Sequence, residues 1–370
     1  MRAGVLLKEG KPRKALEDLN ALTRLRPKDP EGFLLRARVH VKLEDYRAAL
    51  SDFDHVDALA PGNDRVRKER VLVFFKTHQP KKALEALSAS AAQPEDSETQ
   101  ILKARAHIFL KNYGEAEKIL TSVLGKEPLN APAHLYFGVV GARRQDIDTA
   151  LTNFNRALEL DPTLVEAYKE RARTFMELRE PVRAATDLTA AVDLDPADGE
   201  IFALRGLSML KREMYDAATE DFTRALEDLP GDTRILYDRA ATYLLRDEAP
   251  LALADLEALL KIKPDAAKAV ALRGVAHFEM GNPRHAREDL DRAAAMSPKD
   301  PQILNNRGFF FYKTGDLKAA VENFRAALKQ DPNYETARQN MELAVRSEEL
   351  ASLGLDMPSP ADSSTTPAIQ

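Results

Sequence analysis

The chain has 370 residues, 31% of them charged, no cysteine, no tryptophan and a net charge of −5. The lack of cysteine excludes disulfides, thiolate nucleophiles and cysteine-held zinc or iron–sulfur centres, and the negative balance supplies no global basic field for nucleic acid or an acidic membrane surface. The apolar runs Val71–Phe75 and Phe309–Tyr312 are far too short to cross a bilayer, so no membrane insertion is expected.

From its N-terminus onward the chain is phased by proline. Pro27, Pro61, Pro94, Pro128, Pro162, Pro196, Pro230, Pro264, Pro298 and Pro332 follow one another at an even step, with a single step one residue shorter. Placing the proline at position 32, and allowing for that deletion in the third unit, puts alanine at position 20 of all ten units, from Ala15 to Ala320. Position 8 is small in most units (Ala37, Gly138, Gly206, Gly308) and position 24 is bulky (Phe53, Phe154, Phe222, Phe324). Positions 4, 8 and 11 have helical spacing, as do 20, 24 and 27. Turn signals such as Gly281-Asn282 and Gly315-Asp316 fall between the two sets. Each unit therefore reads as a helical hairpin that buries its apolar face only by stacking on its neighbours.

In chain order, Met1 falls at position 6, so the first unit lacks most of its first helix and the chain reads as truncated or processed. The second unit is regular. The third is the weakest match, with Val71 at the small position and the one-residue deletion after Ala83. The stretch Ser88–Thr99 that follows is rich in Ser and Ala, which predicts a weak joint over units three to five. Units six to ten are regular. Glu335–Leu350 continues helically, and Ala351–Gln370, with three prolines and no Lys or Arg, is expected to be disordered.

This pattern resembles the tetratricopeptide repeat family over residues 1–334. The family's aromatic near the start of the unit is present as Phe33, Tyr168 and Phe202 but is Leu236, Val270 and Leu304 later. The resemblance implies an all-α fold, a right-handed α-solenoid of stacked helical hairpins, with residues 335–350 as a capping helix and 351–370 as a tail. It also implies a non-enzymatic, monomeric scaffold that holds a protein or peptide partner in a concave groove. Two alternatives stay open: the docking portion of a larger enzyme such as a glycosyltransferase, and a bacterial envelope assembly factor. The compartment is cytoplasmic by default, or periplasmic if an upstream signal has been lost.

Catalytic, metal and cofactor patterns are not found. His40, His107 and His277 share position 11 with Phe175, Tyr243 and Phe311, which is a packing position. No HExxH spacing occurs. Acidic strings such as Asp193–Asp198 recur with the repeat as helix ends, not as paired catalytic carboxylates.

One charged pattern repeats. Position 7 is Arg in Arg2, Arg36, Arg70, Arg171, Arg205, Arg239, Arg273 and Arg307, and position 23 is Asp in Asp18, Asp52, Asp187, Asp221, Asp255 and Asp289. Because Arg70 faces Ala86 at position 23 of its own unit, the favoured reading is a ladder from unit to unit, Asp221 meeting Arg239 and Asp255 meeting Arg273. An arginine stripe for anionic ligands and pairing inside one unit are the competing readings.

In the family, positions 2, 5, 9, 12 and 13 of the first helices face the groove. The N-terminal units present Arg38, Lys68, Lys76, Arg105, Arg143, Lys169 and Arg173. The C-terminal units present Leu207, Leu210, Tyr237, Leu244, Phe278, Phe309 and Tyr312. A basic half beside an apolar half suits a segment that is acidic at one end. Arg105, Lys169, Arg173, Leu207, Tyr237, Leu244, Phe278, Phe309 and Tyr312 are the expected groove residues. The competing reading is that the basic residues are solvated surface and the apolar ones pack between units. Lys169 and Arg173 resemble part of the clamp with which some family members hold chaperone tails. Leu204 and Asp238 stand where that clamp needs polar and basic groups, so a chaperone-tail role is not expected.

Overall fold

Helix length alternates with the repeat. The computed structural model describes Leu6 and residues 11–88 and 95–352, and from Pro12 onward these contain twenty helices and no strand. First helices of complete hairpins are 13 residues long and second helices 14, except at the third hairpin, whose second helix has 9 described residues. The protein is thus an all-α solenoid of stacked hairpins. Residues 1–10 (Leu6 apart), 89–94 and 353–370 lie outside the described residues, and with them the incomplete first helix and most of the expected tail.

The chain forms two compact units, 1–174 and 175–370. The first holds α1 (Pro12–Leu25), α2 (Pro30–Lys42), α3 (Tyr46–Leu59), α4 (Asp64–Lys76), α5 (Pro80–Ser88), α6 (Ser97–Phe109), α7 (Tyr113–Lys126), α8 (Ala131–Arg143), α9 (Ile147–Leu160) and most of α10 (Val165–Glu177). The second holds α11 (Pro181–Leu194), α12 (Gly199–Lys211), α13 (Tyr215–Asp228), α14 (Thr233–Leu245), α15 (Ala249–Ile262), α16 (Ala267–Glu279), α17 (Pro283–Met296), α18 (Pro301–Lys313), α19 (Leu317–Gln330) and α20 (Glu335–Ser352).

Local chemistry explains the boundaries. Asp29, Asn63, Asp96, Asn130, Asp198, Asp232 and Asp300 cap first helices, each side chain accepting from a backbone N–H two or three residues on. The described phasing prolines lie in the turns just past the second helices, where a missing N–H and a fixed φ cost nothing. Inside each of the nine hairpins from α2–α3 to α18–α19 one residue takes a left-handed conformation. It is Gly281 or Gly315 in two hairpins and a side-chain-bearing residue such as Lys111 (φ 60) or Glu213 (φ 59) in seven.

All ten position-20 alanines are fully inaccessible. They allow the two helices of a hairpin to touch, and position 8 completes the contact. A Cβ on Gly206 would lie 2.8 Å from the Phe222 ring, and one on Gly138 or Gly308 2.7 Å from Phe154 or Phe324. These phenylalanines are among the largest fully buried side chains. They anchor the apolar clusters of each unit.

The Asp–Arg pairs correct the expected ladder. Arg205 grips Asp221 at 2.8 and 2.7 Å, Arg239 grips Asp255, Arg273 grips Asp289 and Arg36 grips Asp52, each within one hairpin. Asp221 does not meet Arg239, and Asp255 does not meet Arg273. The offset that sets Gly206 against Phe222 also sets Arg205 beside Asp221, so the hairpin's own register selects the partner. Hydrogen bonding to these carboxylates raises the arginine pKa values further. Arg70 faces Ala86 and turns instead to Asp54 and Asp57 of the preceding hairpin, at 2.8 Å each. Arg307, facing Asn323, likewise reaches back to Asp291. Hairpins are tied to one another through neutral acceptors too: Arg239 Nη1 donates to Thr223 (3.0 Å), and Arg36 Nη1 donates to Asn20 and Thr23.

Candidate peptide-binding face

The first helices carry every residue expected in the groove. In the first unit, most of the basic set is committed internally. Arg38 makes a two-pronged pair with Glu69 at 2.8 and 2.6 Å. Lys68 lies between Asp96 (2.6 Å) and Glu98 (2.5 Å) of the next hairpin. Burial works against the Asp96 carboxylate, but hydrogen bonds from Lys68 and Thr99 hold its pKa down to about 2. Arg143 and Arg173 both reach Glu170, and Lys169 is buried, 3.5 Å from Glu166.

Arg105, on α6, differs. Its guanidinium lies 4.7 Å from the centre of the Phe75 ring, 5.8 Å from Tyr136 and 6.0 Å from Phe109, and among the described residues no carboxylate lies within 4 Å of it. Clefts open on both sides. One, of about 340 Å³, is lined by Arg38, Glu69, Leu72, Lys76 and Arg105; the other, of about 170 Å³, by Arg105, Phe109, Tyr136, Arg143 and Glu170. Leu72 and Phe109, on the walls of these clefts, are 45% and 43% exposed. Burial raises the Tyr136 pKa, with the Arg105 charge opposing and Glu166 and Glu170 adding. Leu72 and Phe109 are missing from the expected groove set, although they occupy positions 9 and 13, the same groove positions.

In the second unit the expected apolar set divides. Leu244, Phe309 and Tyr312 are 2%, 6% and 3% exposed and belong to the core between helices, with the Tyr312 hydroxyl 3.4 Å from Ser347. Leu207, Tyr237 and Phe278 are half-buried. Phe278 packs edge-on against Phe310 at 5.5 Å. Tyr237 lines a cleft of about 610 Å³ between α14, α16 and the turn before α18. Gln302 donates to its hydroxyl at 3.5 Å, and burial pushes its pKa up to about 12.

Among the described residues no three His, Asp or Glu side chains converge on a metal position, and no helix is long and apolar enough to cross a membrane. What the first helices offer is surface: cations, half-exposed rings and shallow clefts.

The architecture is that of a helical-hairpin repeat scaffold. The chain belongs to the tetratricopeptide repeat family. Models described as tetratricopeptide repeat match residues 1–64, 101–165 and 169–232, then 240–305, then 301–334. Among curated proteins, the mitochondrial import receptor subunit TOM70 of Homo sapiens is 22% identical over 185 residues, 46% of this chain and 30% of that protein. DnaJ homolog subfamily C member 3 of Gallus gallus is 25% identical over 181 residues, 48% of this chain and 32% of that protein. The matched stretch spans about a third of the length of these relatives. Among solved structures, a tetratricopeptide repeat protein from Parabacteroides merdae superposes with a TM-score of 0.54 at 22% identity, over 67% of this chain and 98% of its own. A monomeric IFIT1 mutant with m7Gppp-AAAA superposes with a TM-score of 0.56 at 16% identity, over 92% and 88%. At these identities the structural likeness is one of fold.

Proposed function

We propose that this chain is a non-catalytic scaffold that docks a protein segment along the face lined by its first helices. In this reading residues 1–334 are the array and 335–350 its cap. The observation that carries it is Arg105, a cation with no carboxylate partner, set among three aromatic rings and between two clefts. The neighbouring cations Arg38, Lys68, Arg143 and Arg173 are paired within the chain, and of the cations expected in the groove only Lys76, on the same cleft, joins Arg105 in having no carboxylate partner among the described residues. The segment is therefore recognised by an acidic group at Arg105 and by an apolar residue against Phe109 and Leu72, rather than by a broad basic field. In the second unit Leu207, Tyr237 and Phe278 are the accessible part of the expected groove set, an apolar surface within that unit. A relative named as a mitochondrial import receptor subunit supports the reading of a recognition scaffold.

The test is position-specific photo-crosslinking. A photoreactive side chain at Leu72, Phe109 or Leu207 is expected to capture a partner. The same group at the exposed second-helix residues Val182 and Leu251 is expected to capture none. Capture confined to Val182 and Leu251 overturns the assignment of the face.

A further inference from the structure

The cleft beside Tyr237 holds a carboxylate with no partner. Asp238 lines it from α14, together with Tyr237, Lys263, Ala266, Ala269 and Asp300. Among the described residues no cation lies within 4 Å of the Asp238 side chain and no donor hydrogen-bonds to it. Of the three cations that line the cleft, Arg234 is turned to Asp232 at 3.1 Å, Lys268 lies 3.7 Å from Asp300, and Lys263 has no carboxylate within 4 Å among the described residues. Position 6, which Asp238 occupies, is Leu204 and Leu272 in the flanking hairpins, so an apolar side chain suits this place in the stack. A half-buried, unpaired carboxylate is costly where an apolar residue fits.

The cleft also presents the carboxylates of Asp265 and Asp300 and the Tyr237 phenol, with Ala266 and Ala269 in its wall, and its volume is about 610 Å³. That volume exceeds what a bare ion fills and lies in the range of sites for side chains and small ligands.

We propose that this cleft accepts a cationic side chain, arginine above lysine, presented by a protein segment, with Asp238 as its counter-charge and the Tyr237 ring alongside. A guanidinium supplies parallel donors to one carboxylate and a further donor to a phenol oxygen, and it stacks on an aromatic face. Burial, which pushes the Asp238 pKa up to about 6 against the opposing charges of Arg234 and Lys211 and with that of Asp232, is relieved by such a partner. The site lies wholly in the second unit and is independent of Arg105, so this inference goes beyond the docking reading, and each fails or survives alone.

The test uses the whole chain carrying methyl-labelled alanine, titrated with acetyl-Gly-Arg-Gly-amide, its citrulline counterpart and its glutamate counterpart. Saturable shifts at the Ala266 and Ala269 methyls are expected with the arginine peptide. Binding of the uncharged citrulline peptide should be about tenfold weaker, the scale of losing one charge-assisted pair. Asp238→Asn, which keeps shape and removes charge, should weaken the arginine peptide by a similar factor in a chain whose circular dichroism is unchanged. Equal binding of arginine and citrulline peptides by the wild-type chain overturns the proposal without recourse to a variant. Tighter binding of the glutamate peptide, no shift with any peptide, or an unaffected Asp238→Asn chain overturns it as well.

Discussion

Arg239 holds Asp255 through two parallel hydrogen bonds of 2.8 and 2.7 Å, closing a single hairpin between α14 and α15. The carboxylate is 9% exposed and the guanidinium 18%. Removing one partner leaves the other charged and largely desolvated. Asp255→Ala is expected to cost about 3 kcal/mol, the lower end for breaking a buried pair, because Arg239 keeps its bond to Thr223. A double-mutant cycle in urea should show coupling between Asp255 and Arg239 and none between Asp255 and Arg273. Coupling to Arg273 instead would contradict the observed register.

Gly206 tests the hairpin contact. Its missing Cβ would stand 2.8 Å from Phe222, a ring with no accessible surface. Gly206→Ala is therefore expected to destabilise by about 1–3 kcal/mol through overpacking, despite alanine's better helix propensity. Adding Phe222→Leu should recover part of the loss. Recovery of nothing would mean that the strain lies elsewhere.

Asp238 gives a pH dependence of defined sign. Its folded pKa, about 6, is above the ordinary carboxylate value because of burial first, with Asp232 adding and Arg234 and Lys211 opposing. The neutral acid is therefore favoured on folding. This contribution is fully present below about pH 4 and is lost as pH rises through 6. Asp238→Asn should stabilise the free chain by about 2–3 kcal/mol near pH 7.5 and by little at pH 4. Equal effects at both pH values would show that the charge is not what burial opposes. A gain in stability on losing Asp238 also agrees with a residue retained for binding rather than for folding.

The third hairpin is expected to open before the seventh. It lacks the Arg–Asp grip that closes the second, seventh, eighth and ninth hairpins, because Ala86 leaves Arg70 to bind Asp54 and Asp57 of the hairpin before it. Stability in a stacked array is roughly a sum over repeats and their interfaces. Hydrogen exchange should be faster over Pro80–Ser88 than over Tyr215–Asp228. Equal protection would show that the missing grip carries no local penalty.

Proline phase, the invariant alanine and the small–bulky alternation were enough to read the helices, their pairing into hairpins and the tight contacts of Gly138, Gly206 and Gly308. Each of these is a local requirement repeated in every unit, and a requirement met by residue size leaves its trace in residue type. The partner of each arginine was not legible in the same way. In a phased array an arginine such as Arg239 has Asp255 ahead of it and Asp221 behind it at nearly equal separation, so spacing offers two choices of similar merit. Only the packed register of α14 on α15 separates them, and Arg70, which by itself favours the wrong one, had acids of the preceding hairpin to turn to. The face of the first helices was half legible for the same reason. Positions 5, 9, 12 and 13 are readable along the chain, but whether a cation there is free depends on Glu69, Glu98 and Glu170 arriving from other turns and helices. Whether Leu244 or Tyr312 is accessible depends on what the next hairpin lays over it. Burial and charge pairing are properties of neighbours in space, and those neighbours exist only once the hairpins have stacked.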